Sequence, residues 1–222
     1  MRRVLVLVLL VAACARTGAP AAEAPRRYLV PADVERLVVD GAAFRTFAGP
    51  LRRDLEADAK GALDRATRRQ RLFDLALLDA LDDDWDGAVA RLDLIAAEEP
   101  DPAAKIMTGL TIRVWADARH AGGDPRENFG PALEKRVSAM PYDLLREQFA
   151  TLREMGRVLN REMCQQLIRD HLGPAATRGA LSQEQASAVL FQRYVVVNLL
   201  PVGDVIVEVM GRVMAAHGDQ AP

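Results

Sequence analysis

The sequence predicts an all-α fold, an array of packed helices in a single domain. Three observations predict it. Apolar residues recur at spacings of three and four along most of the chain, the helical period. Cap signals punctuate those stretches: Asp84 stands before Trp85, and Ser182 with Gln185 forms a capping-box pattern. Gly and Pro groups, Gly122–Gly123–Asp124–Pro125 and Gly173–Pro174, fall where the periodicity lapses. With 222 residues, 50% of them hydrophobic, the chain is long enough to bury one sizeable core.

Arg2 and Arg3 precede an apolar run from Val4 to Val11, which is too short to span a bilayer. Val11-Ala12-Ala13-Cys14 then resembles the bacterial lipobox, in which small residues precede a cysteine. The resemblance implies a lipoprotein signal peptide over residues 1–13, cleavage before Cys14 and lipid attachment to it. Several buried acyl chains make a stable anchor where one makes a marginal one. Ala15 stands where an aspartate would mark retention at the inner membrane, so the expected location is the outer membrane, facing the periplasm. Residues 14–30 are rich in Ala, Pro and Gly without periodicity and read as a flexible tether.

The single helical domain is expected over 31–218, with a disordered tail at 219–222. Pro31 suits the first turn of a short helix with Val34, Leu37 and Val38 on its apolar face and Gly41 at its end. Phe44 and Phe47 are expected to pack on the next helix. Pro50 begins a charged helical stretch with a thin stripe of Leu51, Leu55, Ala62, Leu63 and Ala66, weakened or bent at Gly61.

The chain is organised around Arg69–Asp101. Leu72, Leu75, Ala76, Leu78 and Leu81 form one broad helical face, Asp82–Asp83–Asp84 interrupts it, and Ala88, Leu92 and Ile95 form the stripe of a second helix. This pair resembles one tetratricopeptide repeat. Ala76 and Ala88 sit at its small positions, Trp85 at its aromatic one, Leu92 at its large one and Pro100 at its end. Leu72, Asp79, Asp83 and Ile95 depart from the pattern, replacing a tryptophan, a tyrosine, a turn glycine and a small residue. One unit matches, whereas stacked repeats need about three for stability.

A helix from Pro102 to His120 follows, with Ile106, Met107, Leu110, Val114 and Trp115 inward. Residues 124–131 read as a loop or one short turn, because Pro131 is costly within a helix, and a short helix then runs to Met140. Pro141 to Leu172 is the longest periodic stretch, stopped by Gly173–Pro174. Residues 194–210 carry two β-branched runs around Pro201, readable as a hairpin or as helix–Pro–helix. The Ser182 cap and the spacing of Ile206, Val209, Met210, Val213 and Met214 favour the helices. This apolar run reads as a central helix or a contact surface, short of a clean spanning segment.

Signals for chemistry are few. Asp82, Asp84, Asp86 and Gly87, with Asp93 twelfth, match the start of an EF-hand loop. That reading competes with the hairpin, because the loop would keep 86–90 out of regular helix, and the hairpin is preferred. His120, His171 and His217 are far apart in sequence, so no metal site is expected. GxSxG, P-loop and dinucleotide-binding glycine patterns are absent from the sequence. Cys164 and His171 share a helix face but sit about 10 Å apart along it. No cofactor and no catalytic activity are expected. Net charge is −2, and −4 once Arg2 and Arg3 are removed to leave 27 basic against 31 acidic residues, so no nucleic-acid partner is expected.

The expected function is a lipid-anchored periplasmic scaffold that binds an envelope protein. Trp85, Trp115, Arg65, Arg68 and Arg69 are candidate contacts, with core packing the favoured role for both tryptophans. The alternative is a carrier for a lipid or other apolar ligand, in a cavity under the helices from Val189 to Met214.

Overall fold

The computed structural model describes residues 26–31, 33–61, 63–98, 106–156, 161–176 and 179–218. Its described elements are helical apart from one two-residue strand pair, and the fold is all-α. In chain order they are β1 (Tyr28–Leu29), α1 (Arg36–Val39), α2 (Gly41–Lys60), α3 (Arg65–Leu81), α4 (Trp85–Glu98), α5 (Ile106–His120), α6 (Pro125–Ser138), α7 (Tyr142–Gly156) and α8 (Arg161–Ala176). Then come β2 (Ala180–Leu181), α9 (Gln183–Tyr194), a π-helical segment (Val195–Leu199), a 3-10 turn (Leu200–Val202) and α10 (Gly203–Gly218).

From α2 to α6 each helix runs back against the one before it. Arg71 near the start of α3 faces Asp58 near the end of α2, while Arg52 earlier in α2 pairs with Asp79 late in α3. Arg113 of α5 meets Asp93 of α4 at 2.6 Å, and Arg119 meets Asp83 in the α3–α4 turn. Arg136 of α6 pairs with Asp117 of α5. Helix α3 is the centre of this array. Its residues Leu72 to Ala80 are all buried, Asp74 and Asp79 included, rather than one face alone. It is enclosed by α2, α4 and α9.

Side-chain caps explain where three of these helices begin. Asp40 accepts from the backbone N–H groups of Ala42 and Ala43, so Gly41 starts α2 instead of ending α1. Asp64 accepts from the Thr67 N–H and opens α3, so Gly61 ends one helix instead of bending a longer one. The Ser182 capping box is fully formed: its hydroxyl accepts from the Gln185 N–H, and its own N–H donates to the Gln185 side chain.

Three prolines lie inside helices, against expectation: Pro50 in α2, Pro131 in α6 and Pro174 in α8, which runs through Gly173–Pro174 to Ala176. A helical proline removes the bond to the carbonyl four residues earlier. Those carbonyls belong to Thr46, Glu127 and Asp170, all exposed, so solvent can take the freed acceptor. Residues 124–131 are therefore mostly helix. Phe44 and Phe47 also lie within α2 itself, and Phe47 meets Tyr28 edge-on at 6.4 Å.

Residues 194–210 are helical, not a hairpin. Gln183–His217 is a continuous helical run of 35 residues, long and apolar enough by length and composition to cross a membrane, with 44% of its most apolar window buried inside the fold. Pro201 lacks an N–H, and the widened π segment just before it accommodates that loss. The run packs across the array. Ser187 donates to Asp74 of α3 at 2.5 Å, Tyr194 bonds Thr111 of α5 at 2.7 Å, and Arg212 meets Glu134 of α6 at 2.7 Å.

The tether expected over 14–30 yields its last residues to the fold. Tyr28 is 3% exposed, and β1 pairs antiparallel with β2, Tyr28 opposite Leu181 and Leu29 opposite Ala180. Cys14, residues 1–13 with the expected signal peptide, Pro100, Pro102 and residues 219–222 lie outside the described residues.

Candidate functional site

The sharpest local construction is the turn between α3 and α4. Asp83 has a φ of 65°, the left-handed region, which is where the tetratricopeptide pattern has its glycine. The Asp84 N–H donates to the Asp79 carbonyl at 2.9 Å and the Asp83 N–H to the Ala80 carbonyl at 3.3 Å. These two bonds are the Schellman ending of a helix. Asp84 then caps α4, its carboxylate accepting from the Gly87 N–H at 3.0 Å. A Cβ at Gly87 would run into that carboxylate, which accounts for the glycine without any metal. Asp83 accepts from Trp85 Nε1 at 2.7 Å and from Arg119, which ties the turn to the end of α5.

The other acids of the EF-hand-like spacing are also engaged. Asp82 pairs with Arg52 at 2.8 Å, Asp86 with His120 at 3.1 Å and Asp93 with Arg113 at 2.6 Å. Residues 85–98 are helix, so a twelve-residue cation loop is not formed. Among the described residues no three His, Cys, Asp or Glu side chains are grouped to hold a metal ion.

Trp85 and Trp115 are each 7% exposed and stack on one another, ring centres 5.6 Å apart. Trp115 also meets Phe129 at 4.8 Å and donates from Nε1 to the Asn198 carbonyl at 3.2 Å. Both tryptophans are core residues, and the role of partner contact is withdrawn from them. Arg65 and Arg68 are exposed and Arg69 is half-buried, all in the first turns of α3. The structure does not bring these arginines together with the tryptophans, which lie at the other end of the hairpin. Cys164 is buried, and burial pushes its thiol up to about 11, so it is a poor nucleophile. His217 packs against Tyr142 at 6.0 Å. A shallow depression of about 150 Å³ between α6 and α10 is lined by Glu134, Ser138, Arg212, Val213, Ala216 and His217.

Two features have only faint sequence signals. Asp79 stands out in the sequence only as a departure from a tyrosine position, yet its side chain is 6% exposed and holds both Arg52 and Arg91. Asp58 is the other. It accepts from Arg26 at 2.6 Å and from Gln183 at 3.4 Å, and lies 3.5 Å from Arg71 Nε. Nothing local to α2 announces that three other segments converge on it.

Fold and side-chain placement together define an all-α helical array whose acidic turn and tryptophan stack are structural. No family model, no curated protein and no solved structure matches this chain.

The hairpin can be tested at Ala88, which is fully buried. Ala88→Leu overpacks the α3–α4 contact and should cost about 1–3 kcal/mol. Asp86→Ala, on an exposed residue, should cost less, about 0.3–1 kcal/mol from the helix dipole. Denaturation of both variants with and without Ca²⁺ checks this. A silent Ala88→Leu, with Asp86→Ala harmful only when Ca²⁺ is present, would overturn the structural reading of the turn.

A second test is alkaline pH. Burial, then the bond to Asp54, pushes the Tyr28 phenol up to about 12, and burial also raises that of Tyr194. The fold therefore favours the neutral phenols, while unfolded tyrosine ionises near 10. Stability is complete below about pH 10 and falls as pH rises through the Tyr28 value. The denaturation midpoint should be flat to about pH 9.5 and then drop. Tyr28→Phe should soften the drop, and equal slopes in both proteins would contradict this assignment.

Proposed function

We propose that this protein is a bacterial envelope lipoprotein, anchored through Cys14, facing the periplasm from the outer membrane and serving as a helical protein–protein interaction scaffold. The single observation that carries the reading is Val11-Ala12-Ala13-Cys14 at the end of a basic and apolar leader. The rigid antiparallel array behind it supports a scaffold. The first helices of its two central hairpins, α3 and α5, face the chain's own C-terminal run through Asp74–Ser187 and Thr111–Tyr194. A partner would thus meet outward surfaces such as Val197, Val205 and Val207, which are exposed on that run. A carrier would need open volume under the same helices, but Tyr194, Ile206 and Met210 there are packed into the core, which favours the scaffold.

Cys14→Ser should abolish lipid labelling and block lipoprotein-type processing. An unchanged mass and unchanged membrane fractionation would reject the anchor. For the scaffold, affinity purification from detergent-solubilised membranes should recover an envelope protein in stoichiometric amount. Recovery of bound lipid and no protein would move the reading to the carrier.

A further inference from the structure

We infer that the end of the domain where β1 docks rests against an anionic phospholipid surface, and that the molecule stands on the membrane with its acidic α3–α4 turn pointing away. This rests on lipidation at Cys14, and it adds an orientation and a binding surface.

Four segments meet at this end, and Asp58 identifies it. The carboxylate near the end of α2 binds Arg26 just before β1, Gln183 at the start of α9, and the neighbourhood of Arg71 near the start of α3. Tyr28 fastens the same segment by donating to Asp54 at 3.0 Å, and the Val30 N–H donates to the Gly179 carbonyl at 3.1 Å. The chain leading from Cys14 is thus fixed to this end at Arg26. Eleven residues lie between the two, and the twelve steps from Cys14 to Arg26 span at most about 43 Å of extended chain. The far end of α3, with 17 residues, lies roughly 25 Å further on.

The charges divide along the same axis. Arg27, Lys60, Arg65 and Arg68 are exposed around the docking end, and Arg69 is half-buried beside them. Among the described residues the exposed acids in the first turns of α3 and α9 are Asp64 and Glu184; Asp64, held below the usual carboxylate range by the Thr67 hydroxyl and N–H, keeps its charge, and the four exposed cations outnumber the two acids. At the opposite end stand Asp82, Asp83, Asp84 and Asp86, partly offset by Arg52, Arg119 and His120. Attraction of Lys and Arg to lipid phosphate decays within about 10 Å at moderate salt, so only the near end feels it. Leu29, 83% exposed and flanked by Arg27, adds an apolar group that the headgroup layer can accept.

The test uses the full lipidated protein in vesicles of phosphatidylcholine with or without phosphatidylglycerol. Buried Cys164 leaves Ala66→Cys, at the docking end, and Ala121→Cys, at the far end, as single labelling positions, since both alanines are exposed. A headgroup-attached quencher should dim a dye at 66 several-fold more than a dye at 121 in the anionic vesicles. The difference should shrink in neutral vesicles, and also in Lys60→Glu/Arg65→Glu, a pair of exposed sites whose replacement should leave the melting curve unchanged. Equal quenching at the two positions, or a difference indifferent to charge, overturns the orientation while flotation and acyl mass still support the anchor. Loss of acyl mass and of flotation in both vesicle types overturns the anchor, and the orientation with it.

Discussion

Trp115→Ala should cost about 3–5 kcal/mol, the range for truncating a large buried aromatic. Trp115 touches α4 through Trp85, α6 through Phe129 and the π segment through the Asn198 carbonyl. Its removal opens a void between three helices and also leaves that carbonyl without its donor, itself worth about 1–3 kcal/mol. Trp115→Phe should fall between, since it keeps most of the volume and loses the bond. Trp85→Ala should resemble Trp115→Ala and couple to it, because the two rings are partners and their losses overlap. In a domain of this size the alanine variant should melt roughly 10 °C lower. Guanidinium denaturation followed by circular dichroism checks the parent, the three single variants and the Trp85→Ala/Trp115→Ala double variant, which keeps no tryptophan. Full stability in Trp115→Ala would mean that the ring serves a surface after all.

Where the signal is local, the sequence carries the fold. Ser182 and Gln185 announce the start of α9 because a capping box spans only four residues, and Asp84 announces α4 for the same reason. The stripe of Ala88 and Leu92 is equally local, and both residues are buried. What fails depends on which way a residue faces. Pro50 and Pro131 look like helix breaks until the tertiary fold shows that Thr46 and Glu127 face solvent. Asp74 and Asp79 look like solvent markers on α3, yet Gln70 and Ser187 satisfy one while Arg52 and Arg91 satisfy the other. Tyr28 carries no periodic signal at all, because its partners Leu181 and Asp54 come from distant parts of the chain. The same limit applies to the docking end. Arg65, Arg68 and Arg69 are visible as a cluster in the sequence, but that the early part of their helix lies beside the segment of Arg26 shows only through Asp58, which meets both Arg26 and Arg71.

The second large effect is expected at Asp79. Asp79→Ala should destabilise by about 3 kcal/mol, the lower edge of the range for breaking a buried ion pair. The lower edge applies because Arg52 and Arg91 keep 25% and 31% of their side-chain surface, so each can turn partly to solvent once the carboxylate is gone. Arg52 also retains Asp82. Asp82→Ala removes the exposed half of the same network, its side chain being 53% exposed, and should cost under about 1 kcal/mol. Salt separates the two. The Asp82 effect should vanish at about 1 M salt, where screening reaches about 3 Å, while the Asp79 effect should persist because water and ions do not reach the carboxylate. Replacing the pair together, as Arg52→Met/Asp79→Leu, should recover part of the loss, since Arg52 is then not left stranded while Arg91, which also loses its carboxylate, turns its partly exposed head to solvent. Equal and small effects for Asp79→Ala and Asp82→Ala, both erased by salt, would show that α3 is not enclosed at Asp79 and that the array packs more loosely than these contacts describe.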